Sequence, residues 1–191
     1  MQAGEKRSIR ESYDALGGRL YDDRYRLEQA AKYDEIFRRV TPSIDDIVLD
    51  DGCGTGLLLE RLESHAAGVD LSHGLLSTAY SRLKNRGRTH LIQADADQLP
   101  FRDRIFDKVF AVTLIQNAPD PEHALMELRR VARAGSEVIV TALKKSFTLE
   151  GFKQLLDVSG LAIRHLVPDE ALKDWLAFTT PSAVSISSMS I

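Results

Sequence analysis

One stretch constrains the fold of this chain more than any other, the run Val-Leu-Asp-Asp-Gly-Cys-Gly-Thr-Gly from Val48 to Gly56. It reads as a short apolar strand that ends in two carboxylates, followed by a loop with glycine at every second position. We expect a helix to begin near Leu57. Strand, glycine-rich turn and helix together form a nucleotide-binding unit, because small residues let a ligand approach the backbone and a helix N-terminus presents free N–H groups.

The spacing of the glycines excludes two common kinds of nucleotide site. The dinucleotide fingerprint requires Gly-x-Gly-x-x-Gly, whereas Leu57 stands where its third glycine should be. A P-loop is also excluded, because no Gly-x-x-x-x-Gly-Lys-Ser/Thr occurs in the chain. The carboxylates of Asp50 and Asp51 at the loop entrance suit a ligand with positive charge better than a pyrophosphate.

Composition places the chain among ordinary globular domains. Of its 191 residues, 43% are hydrophobic and 28% charged, and the net charge of −3 gives no bulk attraction to nucleic acid or to an anionic membrane. Cys53 is the only cysteine, which excludes an internal disulfide. No segment approaches the roughly 20 apolar residues of a membrane span. We therefore expect a cytoplasmic protein that makes no contact with a membrane.

Strand and helix patterns alternate along most of the chain, after a helical segment at 1–40 that Gly17 and Gly18 divide in two. Strands are predicted near 46–50, 66–70, 89–94, 107–114, 135–142, 161–167 and 174–180, and helices near 56–64, 73–84, 121–133 and 148–158, with Ser72 and Asp120 as N-caps. Such alternation predicts an α/β sandwich with a mainly parallel sheet. Only a short link joins the last two strands, so these should pair antiparallel. Residues 1–180 are expected to form a single domain, and 181–191 a disordered tail.

Three further motifs follow the glycine loop in the chain: Gly68-Val69-Asp70-Leu71-Ser72, Asp95-Ala96-Asp97-Gln98-Leu99-Pro100-Phe101 and Phe106-Asp107-Lys108-Val109. With the loop, they resemble the class I S-adenosylmethionine-dependent methyltransferases, in particular the small group related to the quinone-biosynthesis methyltransferases. The resemblance runs from about Tyr13 to Phe178. It implies a Rossmann-like sandwich, a seven-stranded, mostly parallel sheet with one antiparallel strand in its edge region, and S-adenosyl-L-methionine as cofactor.

The cofactor-binding residues predicted from these motifs begin with Gly52 and Gly54 of the loop. Asp70 ends the second strand, where a carboxylate can accept hydrogen bonds from both ribose hydroxyls; the alternative is a carboxylate that only begins a helix. Leu71 would then lie against the adenine.

The resemblance implies further contacts to the adenine and to the methionyl part. Asp95 would accept from the exocyclic amine of adenine, and the backbone N–H of Ala96 would donate to a ring nitrogen. One of Asp50 and Asp51 would face the methionyl ammonium, and Asp50 holds the position that is most often acidic in the family.

Residues beside the transferring methyl are expected at the end of the fourth strand, because ligands of open α/β sheets lie at the carboxyl ends of the strands. Gln116 and Asn117 occupy that position. Tyr13 and Tyr21 are candidates for orienting the acceptor or removing its proton, and they lie in the N-terminal helical segment, which should fold over the cofactor as a partial lid. The sequence identifies no catalytic base. The five histidines have no metal-binding spacing, so no metal is expected.

The acceptor is predicted less sharply than the cofactor. Few residues remain to build a cap above the sheet, which favours an acceptor that covers the site itself, such as an RNA or a protein. Lys144 and Lys145, which follow the fifth strand, are candidate contacts to it. The alternatives are a small-metabolite methyltransferase and a non-catalytic subunit that binds S-adenosylmethionine. For partners, the resemblance leaves open a small activator subunit and a homodimer.

Overall fold

The computed structural model describes residues 2–182 of the chain. It begins with two helices, α1 (Gln2–Leu16) and α2 (Gly18–Phe37), separated by Gly17 at a φ of 69°. This confirms the predicted break. Gly18 packs tightly on the helix that contains Thr78, since a Cβ atom at Gly18 would lie 2.0 Å from the Thr78 hydroxyl.

Seven strands form one sheet, in the order β3-β2-β1-β4-β5-β7-β6. All neighbours from β3 to β5 pair in parallel, whereas β7 runs antiparallel to both of its neighbours. The predicted mostly parallel sheet with an antiparallel strand near one edge is thus confirmed. The strands are β1 (Ile47–Asp51), β2 (His65–Asp70), β3 (Thr89–Gln93), β4 (Phe106–Ala111), β5 (Ala132–Leu143), β6 (Leu161–Val167) and β7 (Asp174–Pro181).

Three more helices cover the sheet: α3 (His73–Leu83), α4 (Pro121–Val131) and α5 (Leu149–Val158). The predicted N-caps of the first two are confirmed, because Ser72 accepts from the N–H of Leu75 and Asp120 accepts from that of His123. Thr148 caps α5 in the same way. Two buried apolar clusters result, one built around Val48, Ile36 and Leu59 and the other around Leu49, Leu125 and Phe152.

The predicted helix at 56–64 is wrong. Turns and a single 3₁₀ turn at Leu59–Arg61 replace it. Gly56 has a φ of 78°, which a right-handed helix cannot include, and β2 begins soon afterwards. Leu57, Leu58 and Leu59 are all buried, so consecutive side chains enter the core instead of one face of a helix.

At the other end of the chain, part of the predicted tail belongs to the sheet. Pro181 ends β7, where it is paired with Leu161 of β6. Residues 183–191 of that tail lie outside the described residues. None of the helices within 2–182 combines the length and the apolar character that crossing a membrane requires.

Candidate active site

A cavity opens at the carboxyl ends of β1 to β4, the place expected for a ligand in an open α/β sheet. We call it the cofactor cavity. Its walls come from α1, α2, the glycine loop and the segments that follow β2, β3 and β4: Lys6, Ile9, Arg10, Tyr13, Tyr21, Asp51, Gly52, Gly54, Asp70, Leu71, Ser72, Leu75, Ala94–Asp97, Val112–Leu114 and Asn117–Pro119. Most of the predicted cofactor residues therefore meet in one place.

The glycine loop follows β1 with all three glycines in the left-handed region, at φ values of 77°, 53° and 78° for Gly52, Gly54 and Gly56. Other residues rarely adopt this conformation. The loop also leaves little room for a side chain at Gly52, since a Cβ atom there would lie 3.0 Å from Leu114. The backbone of the loop therefore forms the cavity wall directly.

Asp70 joins this loop to the start of α3. Its Oδ2 atom accepts from the N–H of Gly54 and its Oδ1 atom from the N–H of Ser72, both at 2.8 Å. The helix-start role and the ligand role are therefore compatible, because each carboxylate oxygen keeps a second lone pair and the residue lines the cavity. Burial raises the pKa of Asp70.

Asp50 and Asp51 form an acidic pair beneath the loop, and both are buried. The structure places Asp51, and not Asp50, on the wall of the cofactor cavity. Burial and then the charge of Asp70 raise the pKa of Asp50 to about 8, and burial raises that of Asp51 well above its ordinary value. The Oδ2 atom of Asp51 is buried without a hydrogen-bond partner. Within residues 2–182 neither carboxyl group is in an ion pair, so this acidic pair has no positively charged partner.

Asp95 and Ala96 lie in the same cavity as the sequence predicted, but Asp95 has a partner that the sequence did not reveal. Lys6 of α1 places its ammonium 2.7 Å from Asp95 Oδ2 and 2.6 Å from Asp97 Oδ2. Asp97 is buried as well as ion-paired. The carboxylate that is predicted to recognise the adenine amine is thus paired with a lysine side chain.

A second cavity adjoins the first and shares four of its residues: Tyr13, Tyr21, Thr113 and Asn117. We call it the acceptor cavity. Its other walls are Tyr25, Glu28, Gln29, Gln116, Leu143, Lys144, Lys145 and the segment Glu170–Lys173. Part of its lining therefore comes from α2 and from the link between β6 and β7, which the sequence did not indicate as a cap.

Three tyrosines form one wall of the acceptor cavity. The ring centroids of Tyr13 and Tyr21 are 6.3 Å apart, and those of Tyr21 and Tyr25 are 5.0 Å apart. Burial raises the pKa of Tyr13 and that of Tyr21. Both phenols consequently stay protonated at neutral pH and can donate hydrogen bonds to a ligand.

The remaining predicted residues have different surroundings. Gln116 lines the acceptor cavity and not the cofactor cavity, and its Oε1 atom is buried without a hydrogen-bond partner. Lys144 donates to the carbonyl of Asp169 at 2.8 Å, and its ammonium lies 4.8 Å from the centre of the Trp175 ring. Lys145 is exposed. Lys145 can therefore contact a substrate without breaking an existing interaction, whereas Lys144 cannot.

Comparison with known proteins agrees with this geometry. Residues 49–140 match the family described as "Methyltransferase domain". The chain is 40% identical over 98 residues to phosphatidylethanolamine N-methyltransferase of Cereibacter sphaeroides, which covers 49% of this chain and 48% of that protein. It is 36% identical over 127 residues to the ubiquinone/menaquinone biosynthesis C-methyltransferase UbiE of Xanthomonas oryzae, and this alignment covers 62% of this chain and 50% of that protein. The chain thus spans about half the length of the curated relatives it matches.

The fold has a close counterpart in the methyltransferase solved in complex with the Trm112 methyltransferase activator of Haloferax volcanii. The two share a TM-score of 0.74 over 90% of this chain and 98% of that one, at 16% identity. At this identity the likeness concerns the fold alone.

The residues of the cofactor cavity fit S-adenosylmethionine, the cofactor of this family. The ammonium and sulfonium of that molecule would supply the positive charge that the buried acidic pair lacks, and the unpartnered Asp51 oxygen is an acceptor for a donor group. Asp70 would hold the ribose, and Asp95 with Ala96 the adenine. The order of the motifs and the sheet topology agree with the matched segment, and residues 49–140 accordingly form a methyltransferase domain, which is similar to the class I S-adenosylmethionine-dependent methyltransferases related to the quinone-biosynthesis enzymes.

Proposed function

We propose that this chain transfers the methyl group of S-adenosylmethionine to a small or flat acceptor that enters the acceptor cavity. One observation carries the proposal: the cofactor and acceptor cavities meet at Tyr13, Tyr21, Thr113 and Asn117. A nucleophile in one cavity can therefore approach a methyl group held in the other without leaving the protein.

The protein's contribution in this proposal is alignment. When bound, S-adenosylmethionine supplies a methyl group on a sulfonium, which is a good leaving group, so holding the nucleophile in line supplies much of the rate. Tyr13 and Tyr21 can orient the acceptor by donating hydrogen bonds. Gln116 offers an unpartnered acceptor oxygen for an N–H or O–H group of the substrate.

A small acceptor has more support than the RNA or protein expected from the sequence. The acceptor cavity is concave, is walled by three aromatic rings and is bounded by the segment that precedes β7. Lys144 is one of the two lysines that were expected to contact an RNA or a protein, but its ammonium already donates to a main-chain carbonyl and lies over an indole ring. The names of the two curated relatives also refer to small or lipid acceptors.

The test supplies the protein with S-adenosylmethionine labelled in its methyl group and with separate small-molecule, lipid, RNA and protein fractions of a cell extract. We expect label in the small-molecule or lipid fraction, and label confined to RNA or protein would contradict the proposed acceptor. Tyr25→Leu is the matched variant, because Tyr25 lines the acceptor cavity but not the cofactor cavity. It should reduce labelling while the affinity for S-adenosylhomocysteine stays the same.

We also propose that the free edge of β3 can receive an activator subunit. Within residues 2–182, β3 pairs with β2 on one side only, and such an edge offers main-chain hydrogen bonds to another chain. The Haloferax volcanii neighbour was solved with an activator bound. Light scattering of the purified protein, alone and with candidate activators, distinguishes a monomer that binds a small subunit from a homodimer.

A further inference from the structure

Lys32 of α2 is an unusual residue for the interior of a protein. Its side chain is 1% exposed, although lysine is rarely buried without partners. The ammonium lies 2.6 Å from Asp174 Oδ2, at the start of β7, and 3.4 Å from Glu28 Oε1, one turn earlier in α2. Both carboxylates offset its charge, and the ion pair with Asp174 ties α2 to β7.

The third contact of Lys32 goes to the loop between the two cavities. Its ammonium donates to the hydroxyl of Thr113 at 2.8 Å, and Gln29, which is also buried, donates to the same hydroxyl at 3.2 Å. The Thr113 hydroxyl accepts a hydrogen bond from the ammonium, whereas the two carboxylates lie beside it at ion-pair distances. An ion pair that only joined α2 to β7 would not require this contact.

Thr113 itself has a strained backbone. Its φ is 63°, in the left-handed region, where a β-branched residue is a true outlier. Such a conformation persists only when the surroundings hold it. Besides its hydroxyl contacts, Thr113 donates its N–H to the hydroxyl of Thr141 at 2.8 Å, and its carbonyl accepts from the Asn117 side chain at 3.0 Å.

The strained residue Thr113 lies where the two cavities meet. Thr113 and Asn117 both line the cofactor cavity and the acceptor cavity, so the backbone angle at Thr113 sets the loop where the cavities meet. We infer that Lys32 is a positioning residue, which holds Thr113 in its left-handed conformation and thereby shapes the junction between the two cavities. The inference goes beyond the proposed function and rests on it only for the roles of the cavities.

The test measures the affinity for S-adenosylhomocysteine by calorimetry and the backbone chemical shifts of residue 113 by NMR. Lys32→Met removes the ammonium and keeps the length of the side chain. We expect it to weaken binding about tenfold, a change typical of coupled neighbours, and to move the shifts away from left-handed values. Asp174→Asn is the matched control: it weakens the ion pair but leaves the contact to Thr113, so it should lower the melting temperature and leave the affinity unchanged.

A double-mutant cycle tests whether Lys32 acts through Thr113. Glycine adopts a φ of 63° without support, so Lys32→Met in a Thr113→Gly background should change the affinity less than twofold. An equal loss in both backgrounds would overturn the inference, as would Lys32→Met and Asp174→Asn variants that differ neither in affinity nor in the shifts of residue 113.

Two further outcomes are decided separately. If Lys32→Met does not fold, Thr113→Val removes the hydroxyl at constant shape and should show the same loss of affinity, whereas unchanged binding overturns the inference. If the wild-type protein binds no S-adenosylhomocysteine, the proposed function fails, and the chemical shifts of residue 113 in the Lys32→Met protein still decide the role of Lys32.

Discussion

Replacing Asp70 by alanine should weaken cofactor binding strongly, for reasons that the structure makes quantitative. Both carboxylate oxygens already accept a backbone N–H, from Gly54 and Ser72. Two ribose hydroxyls would use the remaining lone pairs, and losing those charge-assisted bonds should cost about 2–4 kcal/mol. At about 1.4 kcal/mol for each factor of ten, the dissociation constant for S-adenosylhomocysteine should rise roughly 30- to 700-fold.

The same substitution also acts on the protein alone, because the two N–H groups lose their acceptor. Calorimetry with S-adenosylhomocysteine and with its 2′,3′-dideoxy analogue separates the two effects, since only the first ligand can bond to Asp70 through its ribose. The substitution should therefore weaken binding of the analogue far less. Asp14→Ala is a matched control: Asp14 accepts from the hydroxyl of Ser72 and the N–H of Gly74, but does not line the cofactor cavity. A folded Asp70→Ala protein with unchanged affinity, or with equal losses for both ligands, would refute this reasoning.

Three further predictions concern other substitutions, each with a distinct expected result. Lys6→Met should bind S-adenosylhomocysteine several-fold more tightly, because the ammonium no longer competes for Asp95, and weaker binding in calorimetry would contradict this. Since the pKa of Asp50 is raised to about 8 from an ordinary 3.8, the folded protein binds an extra proton between those values. Stability should therefore fall as pH rises through this window, by at most about 1.4 kcal/mol per pH unit, and urea unfolding should show a flatter profile for Asp50→Asn. Lys144→Ala should lower the melting temperature because it loses a half-buried hydrogen bond to a main-chain carbonyl, whereas Lys145→Ala, at an exposed site, should leave it unchanged, and equal effects would contradict the assigned contacts.

The sheet could be predicted from the sequence because its signals are local. Apolar runs bounded by polar loops marked all seven strands, and the short link Pro168–Lys173 required the last two to be antiparallel. The caps Ser72 and Asp120 were predictable for the same reason, since each bonds an N–H three residues ahead. The helix expected after Gly56 failed because burial of consecutive leucines outweighed their helical preference.

The charged residues of the site could not be predicted in this way. Lys6 and Lys32 lie among many charged neighbours in two polar helices, and such positions read as solvated faces. Only the fold brings Lys6 to Asp95 and Lys32 to Asp174, across separations in the chain that leave no local pattern. The strained backbone at Thr113 is likewise a product of its surroundings, since threonine does not favour that conformation.

The place of β7 between β5 and β6 has a consequence for synthesis on the ribosome. The strand that joins these two neighbours is the last of the seven to emerge, so a nascent chain that ends before Asp174 leaves both with open edges. Such edges are ready templates for pairing with other chains. The same nascent chain also lacks the main counterion of Lys32, so α2 can complete its docking only after β7 has been made. We therefore expect the junction between the cavities to be completed only with the β6–β7 hairpin, and the growing chain to be prone to pairing with other chains until then.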